Sequence, residues 1–298
     1  MLHRAMSEFQ ATRVTFGAFE GWGLTLSFCD TDYSGRSEMN LASKAEINAA
    51  RNPLATLGLA ITLVFTAHTA VAQTESGWSN QGLIYLLGPT LDGTSGVGPF
   101  DTDVDLSAGD VFDNLDSAFL GMYRGEGQHW GVLVDIVYMD LKADGSGDRG
   151  ALSGEVELEQ TTAIVSATYR LSPTTQLMAG ALYNDIAGSI SLTGPIRETR
   201  GLSMGDDWVD PIVGVLYETP VGGGNWSFTG SAQIGGFGVG SDLVTILTGS
   251  FSYRFNHWSS VDIGYRYLDF DYEDGDGADR FKFDMKEHGP AIGWRIDF

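Results

Sequence analysis

Thiols are almost missing from this chain. One cysteine, Cys29, stands among 298 residues, which excludes a disulfide framework and any cysteine-built metal site. Basic side chains are scarce as well, 17 Lys+Arg against 39 Asp+Glu, for a formal charge of −22. Phosphate neutralisation demands a basic surface, so general nucleic-acid binding is excluded. No apolar stretch reaches the roughly 20 residues of a comfortable helical bilayer span, and few patterns of helical period appear. What the chain does have is glycine, 40 residues, and aromatics at 11%. That balance points to a single all-β domain of about 225 residues.

The main apolar run lies well inside the chain. Arg51 precedes Leu54-Ala-Thr-Leu-Gly-Leu-Ala-Ile-Thr-Leu-Val-Phe65, and Ala70-Val71-Ala72 stands before Gln73. A positive flank, a short apolar core and small residues at a cleavage site are the parts of a secretory signal. Cleavage is expected between Ala72 and Gln73; a membrane anchor or a buried helix is the competing reading. Residues 1–50 show no sustained period and read as a non-globular extension or an over-extended start. Met39 would open an ordinary precursor, with Lys44 and Arg51 as its positive region; a true long leader is the alternative. The expected organisation is therefore 1–50 extension, 51–72 signal peptide and 73–298 folded domain. Cys29 precedes the cleavage site, which fits export to an oxidising compartment.

Within 73–298 the pattern has period two. Strand character recurs near 79–90, 115–125, 128–141, 155–171, 174–192, 207–219, 225–237, 243–255, 258–272 and 279–298. Trp226, Phe228, Ala232 and Ile234 share one face against Ser227, Thr229, Ser231 and Gln233, because alternate strand residues point to opposite sides. Leu247, Phe251, Tyr253 and Phe255 oppose Thr248, Ser250, Ser252 and Arg254 in the same way. Gly125–Gly127, Ser172–Thr175, Pro220–Gly224 and Asn256-His257 make tight turns on one side. Longer links, 91–114, 142–154, 193–206 and 273–278, fall on the other side, with 238–242 alone brief.

Short turns on one side, long loops on the other and an even strand count define an outer-membrane β-barrel. Aromatics at expected strand ends, Trp130, Trp208, Trp226, Tyr253, Phe255, Trp258, Trp294 and Phe298, suit interfacial girdles. Two strands break parity. Apolar positions switch after Tyr267 to Leu268, Phe270 and Tyr272, and after Met285 to Pro290, Ile292 and Trp294, so bulges are expected near 267 and 287–290. The bland alternative is that the strands leave the membrane there.

The last residues, Ile292, Trp294, Ile296 and Phe298, share a face and end the chain on an aromatic. This ending resembles the assembly signal that bacterial outer-membrane barrels present to their insertion machinery. Asp105-Leu-Ser-Ala-Gly-Asp-Val-Phe-Asp-Asn-Leu-Asp-Ser-Ala-Phe119, His129-Trp-Gly-Val-Leu-Val-Asp135, Gly264-Tyr-Arg-Tyr267 and the stretch from Gly289-Pro290 to Phe298 resemble a poorly characterised group of proteobacterial, porin-like outer-membrane barrels. The resemblance implies an integral barrel of about ten strands, 8 to 12 being possible. It also implies location in the outer membrane, lipid and lipopolysaccharide as surroundings, and the barrel-assembly machinery as a partner during biogenesis.

Catalytic and metal-binding patterns are weak. Ten-stranded outer-membrane proteases work through Asp and His pairs, and no Asp-x-His occurs here; His257-Trp-Ser259 resembles the His-x-Ser of an outer-membrane lipid deacylase but lies at the periplasmic end. No enzymatic role and no cofactor are expected. Asp101-Thr-Asp-Val-Asp105 starts like a calcium loop, yet Leu106 stands where Gly is needed and Phe112 where a bidentate Glu is needed. Ser107 and Asp110 are instead expected to cap a short helix near 108–116, with Phe112, Leu115 and Phe119 packing into or over the lumen. Acidic loop residues such as Asp144, Asp148, Asp271, Glu273, Asp274, Asp276 and Asp279 read chiefly as solvated charge, and loose cation bridging to lipopolysaccharide is the sharper alternative.

The better constellation faces the lumen. Parity places Asp135, Arg170, Glu218, Arg254, Asp262, Arg266, Lys282, Asp284 and Arg295 inward, with Arg170, Glu218, Arg254 and Arg295 toward the periplasm. Buried charges must be paired or wet. Eight-stranded barrels are filled by side chains and open pores need about 16 strands, so ten leave at most a narrow charged path. The expected activity is a narrow pore or a ligand-accepting lumen; a structural or surface-interaction role is the alternative, and a hydrolase a minor one.

Overall fold

The computed structural model describes residues 14–15, 77–147, 153–193 and 199–298. Contacts divide the chain into two units, of which the one holding Trp78–Phe298 is the barrel. The other, Phe28–Gly77, lies outside the described residues apart from Gly77. The expected signal region and its cleavage residues Ala70, Ala72 and Gln73 likewise lie outside them.

Ten strands close the barrel: β2 (Ser79–Leu87), β5 (Leu115–Glu126), β6 (Trp130–Gly147), β7 (Ser153–Arg170), β8 (Thr175–Thr193), β9 (Thr199–Val221), β10 (Trp226–Gly236), β11 (Leu243–Arg254), β12 (Ser259–Asp274) and β13 (Phe281–Asp297). Each pairs antiparallel with the next, and β13 closes the ring against β2. Three short strands stand off this ring: β1 (Val14–Thr15) on the end of β6, and the hairpin of β3 (Thr90–Val97) and β4 (Phe100–Leu106). Closure matters because the hydrocarbon core tolerates no unpaired backbone. The turn at Pro220–Gly224 is possible because Gly222 and Gly223 take φ of 67° and 68°, a region closed to most side chains.

The hairpin occupies much of the long link expected at 91–114. β3 continues the line of β2 along β13, with Leu87 opposite Ala291 and Thr90 opposite His288. At this junction the chains run close: a Cβ on Gly289 would lie 2.0 Å from the Gly88 carbonyl oxygen. After β4 comes the short helix α1 (Ala108–Asp113), capped as expected by Ser107, whose hydroxyl accepts from the Asp110 amide while Asp110 accepts from the Ser107 amide.

Neither expected bulge exists. The β12–β13 register runs without a shift from Ser259–Ile296 to Asp274–Phe281, through Tyr265–Pro290. Leu268, Phe270 and Tyr272 simply continue the inward face of β12, and Phe281, Phe283 and Met285 the inward face of β13. What changes along these strands is the surroundings. In the periplasmic half the outward residues are Ile263, Tyr265, Ile292 and Trp294, exposed for lipid, while Asp262, Arg266 and Arg295 are buried inward. In the outer half the inside is apolar and the outside carries Asp269, Asp271, Lys282, Asp284 and Lys286. The sequence pattern inverts because the polarity of the two sides inverts at constant strand geometry. Lys282 and Asp284 accordingly face outward, against expectation.

The lipid-facing wall is built from cross-strand aromatic pairs near the short turns: Trp130 on Tyr169 (centroids 4.8 Å apart), Trp226 on Tyr253 (5.0 Å) and Phe228 on Phe251 (5.2 Å). Trp294 keeps its indole N–H on the Ser259 hydroxyl at 2.7 Å, the polar handle an interfacial tryptophan needs. Trp208 does not join this girdle. It points inward, 5% exposed, and stacks on Tyr272 at 3.8 Å. Phe112 and Phe119, expected over the lumen, are exposed, and Leu115 alone of the three packs against the interior cluster.

Candidate functional site in the lumen

The inward side chains form layers. At the periplasmic end, Arg124 reaches from β5 across to β9 and donates to Glu218 at 2.7 Å, while its other nitrogens hold Glu126 at 2.6 and 3.1 Å. Arg170 donates to the second Glu126 oxygen at 3.1 Å, and Gln176 donates to the first. Of the expected periplasmic charges Arg170 and Glu218 join this knot, whereas Arg254 at the end of β11 is exposed. The expected lumen charges did not include Arg124 and Glu126, although parity puts both, two residues apart, on the inward face of β5.

Above this layer, Arg295 clamps Asp262, its Nε 3.1 Å from the carboxylate, and donates to Ser252 at 2.8 Å. Near mid-barrel Arg266 on β12 crosses to Asp135 on β6. Tyr85 from β2 sits between them, accepting from Arg266 at 2.6 Å and donating to Asp135 at 2.8 Å. A second strut links Gln160 on β7 to Glu287 on β13 at 2.7 Å, beside Thr162 and Asn184, which share a bond of 2.6 Å. Glu287 escapes sequence reasoning because a bulge expected at 287–290 removes its face assignment.

The outer layer is apolar. Val111 of α1, Leu106 of β4, Leu182, Trp208, Ile246, Phe270 and Phe283 belong to one buried cluster that fills the outer half of the interior. Phe270 is wholly buried, with Trp208 edge-on at 6.4 Å and Phe283 at 5.8 Å. Asp210 locks the outer β10–β11 turn onto this plug by accepting from the Ser241 amide and hydroxyl, each at 2.6 Å, and from the Trp208 indole at 3.1 Å.

Between the periplasmic knot and the Arg266–Asp135 crossing lies a cavity of about 140 Å³. Met122, Leu133, Met178 and Leu216 make one wall, and Thr229, Ser231, Thr248, Ser250 and Asp262 the other. Asp262 Oδ1 and Thr229 Oγ1 have no hydrogen-bond partner.

On the outside, two arrangements lie beyond the lumen. His288 stands between Tyr265, 2.8 Å from its Nδ1, and Asp92, 3.2 Å from its Nε2. Only the β13–β3 register brings Asp92 and His288 together. Beyond the barrel rim, Arg280 holds Asp101 at 2.6 Å and Glu273 at 2.8 Å; its hydrogen bonds hold both carboxyls below their ordinary range. Among the described residues no group of three His, Cys, Asp or Glu side chains is placed to hold a metal ion, and no helix is long and apolar enough to cross a membrane.

A closed ten-stranded antiparallel wall with lipid-facing aromatics and a charged outer rim defines an integral β-barrel of the outer-membrane type. No family model and no curated protein matches the sequence. Solved structures with a similar course include the Escherichia coli outer-membrane protease OmpT, at 7% identity and TM-score 0.41 over 77% of this chain and 100% of that one. The attachment invasion locus protein Ail of Yersinia pestis, in complex with the heparin analogue sucrose octasulfate, matches at 12% identity and TM-score 0.32 over 75% and 99%. The P. putida toluene transporter TodX matches at 11% identity and TM-score 0.29 over 76% and 91%.

Proposed function

We propose that this protein is an integral barrel of the bacterial outer membrane whose lumen is a receptacle for a small ligand and is closed to through-flow. The carrying observation is the apolar cluster from Leu182 and Ile246 up to Phe270 and Phe283, packed like a soluble protein core across the outer half of the interior. Ions and polar solutes find no hydrated path there, whereas the cavity below has a mixed lining suited to holding a molecule. Of the two expected lumen activities, this favours the ligand-accepting lumen over the narrow pore. The role is non-enzymatic. Export through the signal peptide ending at Ala72, delivery by the barrel-assembly machinery and residence among lipid and lipopolysaccharide complete the reading. Recording from planar bilayers tests it: wild-type protein gives no discrete steps, and regular steps would overturn it.

A surface-interaction role is the second reading. It is favoured by the β3–β4 hairpin, which follows the outer part of β13 and leaves one edge of β4 without a strand partner among the described residues. Deleting 91–105 and finding unchanged cell-surface binding would remove this second reading and leave the first intact.

A further inference from the structure

We infer that the lumen cavity takes a small uncharged amphiphile, an apolar body of about benzene size bearing one hydroxyl. The inference rests on the ligand-accepting reading above and names the ligand class. Size comes first: the cavity measures about 140 Å³, and an apolar cavity of ~150 Å³ is filled by benzene. Shape of the lining comes next. Leu133, Met178 and Leu216 form a small buried cluster with Met122 packed on it, a wall that gains nothing from facing water. Met122 and Met178 add unbranched thioethers that adapt to an aromatic face.

The opposite wall sets the polar requirement. Ser231 and Thr248 satisfy each other at 2.7 Å, but Asp262 Oδ1 and Thr229 Oγ1 are left without partners. Asp262 is 6% exposed and lines the cavity. A buried polar atom requires a partner, and a carboxylate oxygen can only accept, so the ligand must donate. Thr229 then donates its own hydroxyl proton to the oxygen of the same ligand hydroxyl. Charge is already balanced on this wall: Arg295 holds the other Asp262 oxygen and Arg266 is matched by Asp135. A ligand cation would crowd the Arg295 guanidinium and an anion would oppose both carboxylates, which leaves a neutral donor.

The test uses the full chain in phospholipid nanodiscs, titrated calorimetrically with phenol, benzene and benzylamine against empty nanodiscs. Phenol is expected to bind one-to-one and about tenfold or more tighter than benzene, the size of a hydrogen bond to a charged acceptor. Thr229→Val, of matching shape, should shrink that ratio, and Met178→Trp should abolish saturable binding; Leu216→Phe serves if Met178→Trp does not fold. Benzene binding as tightly as phenol would overturn the hydroxyl requirement while leaving a ligand-accepting lumen in place. Preference for benzylamine would overturn the neutral class. Uptake that is never saturable, equal in wild type, filled variant and empty nanodiscs, would mean a water-filled void, and both readings would fall.

Discussion

Arg266 on β12 and Asp135 on β6 meet across the lumen as a buried ion pair, each side chain under a tenth exposed, with the Tyr85 hydroxyl bonded to both. Two strands 131 residues apart are thereby tied through the barrel's centre. Removing one partner leaves the other charged, buried and unmatched. Arg266→Ala is expected to destabilise the barrel by about 3–5 kcal/mol, whereas Arg266→Met with Asp135→Leu recovers most of that loss. Urea midpoints of the heat-modifiable gel band measure both. Equal midpoints for Arg266→Ala and wild type would show that the pair carries no strain of desolvation.

The plug should behave as a protein core. Phe270 is fully buried against Trp208 and Phe283, so Phe270→Ala is expected to cost about 3–5 kcal/mol, by lost transfer energy and the cavity left behind. Phe251→Ala, which removes a lipid-facing ring of the same size that is 49% exposed, should cost clearly less. Paired unfolding curves in the same detergent check the order; the reverse order would mean that the outer interior is solvated.

The rim responds to acid. Arg280 hydrogen-bonds to Asp101 and Glu273 and holds both carboxyls below their ordinary values of 3.8 and 4.5. Groups with depressed folded values contribute stability above their unfolded values and lose it as pH falls through the folded ones. Amide protection at the β3–β4 tip should therefore be steady at neutral pH and drop below about pH 4. Arg280→Ala should remove that acid dependence. Hydrogen exchange reports both, and a tip whose protection ignores pH in the wild type would contradict the clamp.

Phe298 pairs with Asn80 through both main-chain groups, at 2.9 and 3.2 Å, while its ring is 65% exposed. An exposed ring contributes little to folded stability, so an assembly role separates cleanly from a structural one. Deleting Phe298 is expected to lower the amount of barrel in the outer membrane several-fold while changing the in-vitro unfolding midpoint by no more than about 1 kcal/mol. Cell fractionation beside urea titration distinguishes them; a large loss in vitro with normal assembly in cells would refute the signal.

Much of this architecture is written in period-two alternation. All ten ring strands fall where the alternation puts them, and the capped helix after Ser107 follows from Ser and Asp three residues apart. Lumen charges near the membrane, Asp135, Arg266 and Arg295, were readable because lipid forces a clean contrast between faces. The outer half was not readable by the same rule. Above the bilayer the outside is water, so Leu268, Phe270 and Phe283 turn inward as in a soluble core and mimic a register slip. Trp208 was misplaced for the same reason: an aromatic near a rim suits either a girdle or a plug. The struts Arg124–Glu218 and Gln160–Glu287 join opposite walls, and a linear sequence does not say which inward residues face each other across a closed ring.

Whether the lumen conducts is the question on which the rest depends. Purified full-length protein in a planar lipid bilayer at neutral pH, recorded over long sweeps of both polarities, answers it directly. A lumen closed by the Phe270–Trp208–Phe283 plug gives a flat baseline, and Phe270→Ala combined with Trp208→Ala and Phe283→Ala introduces discrete steps. Reproducible ohmic steps from the wild type, unchanged in that triple variant, would contradict the plug and the receptacle together.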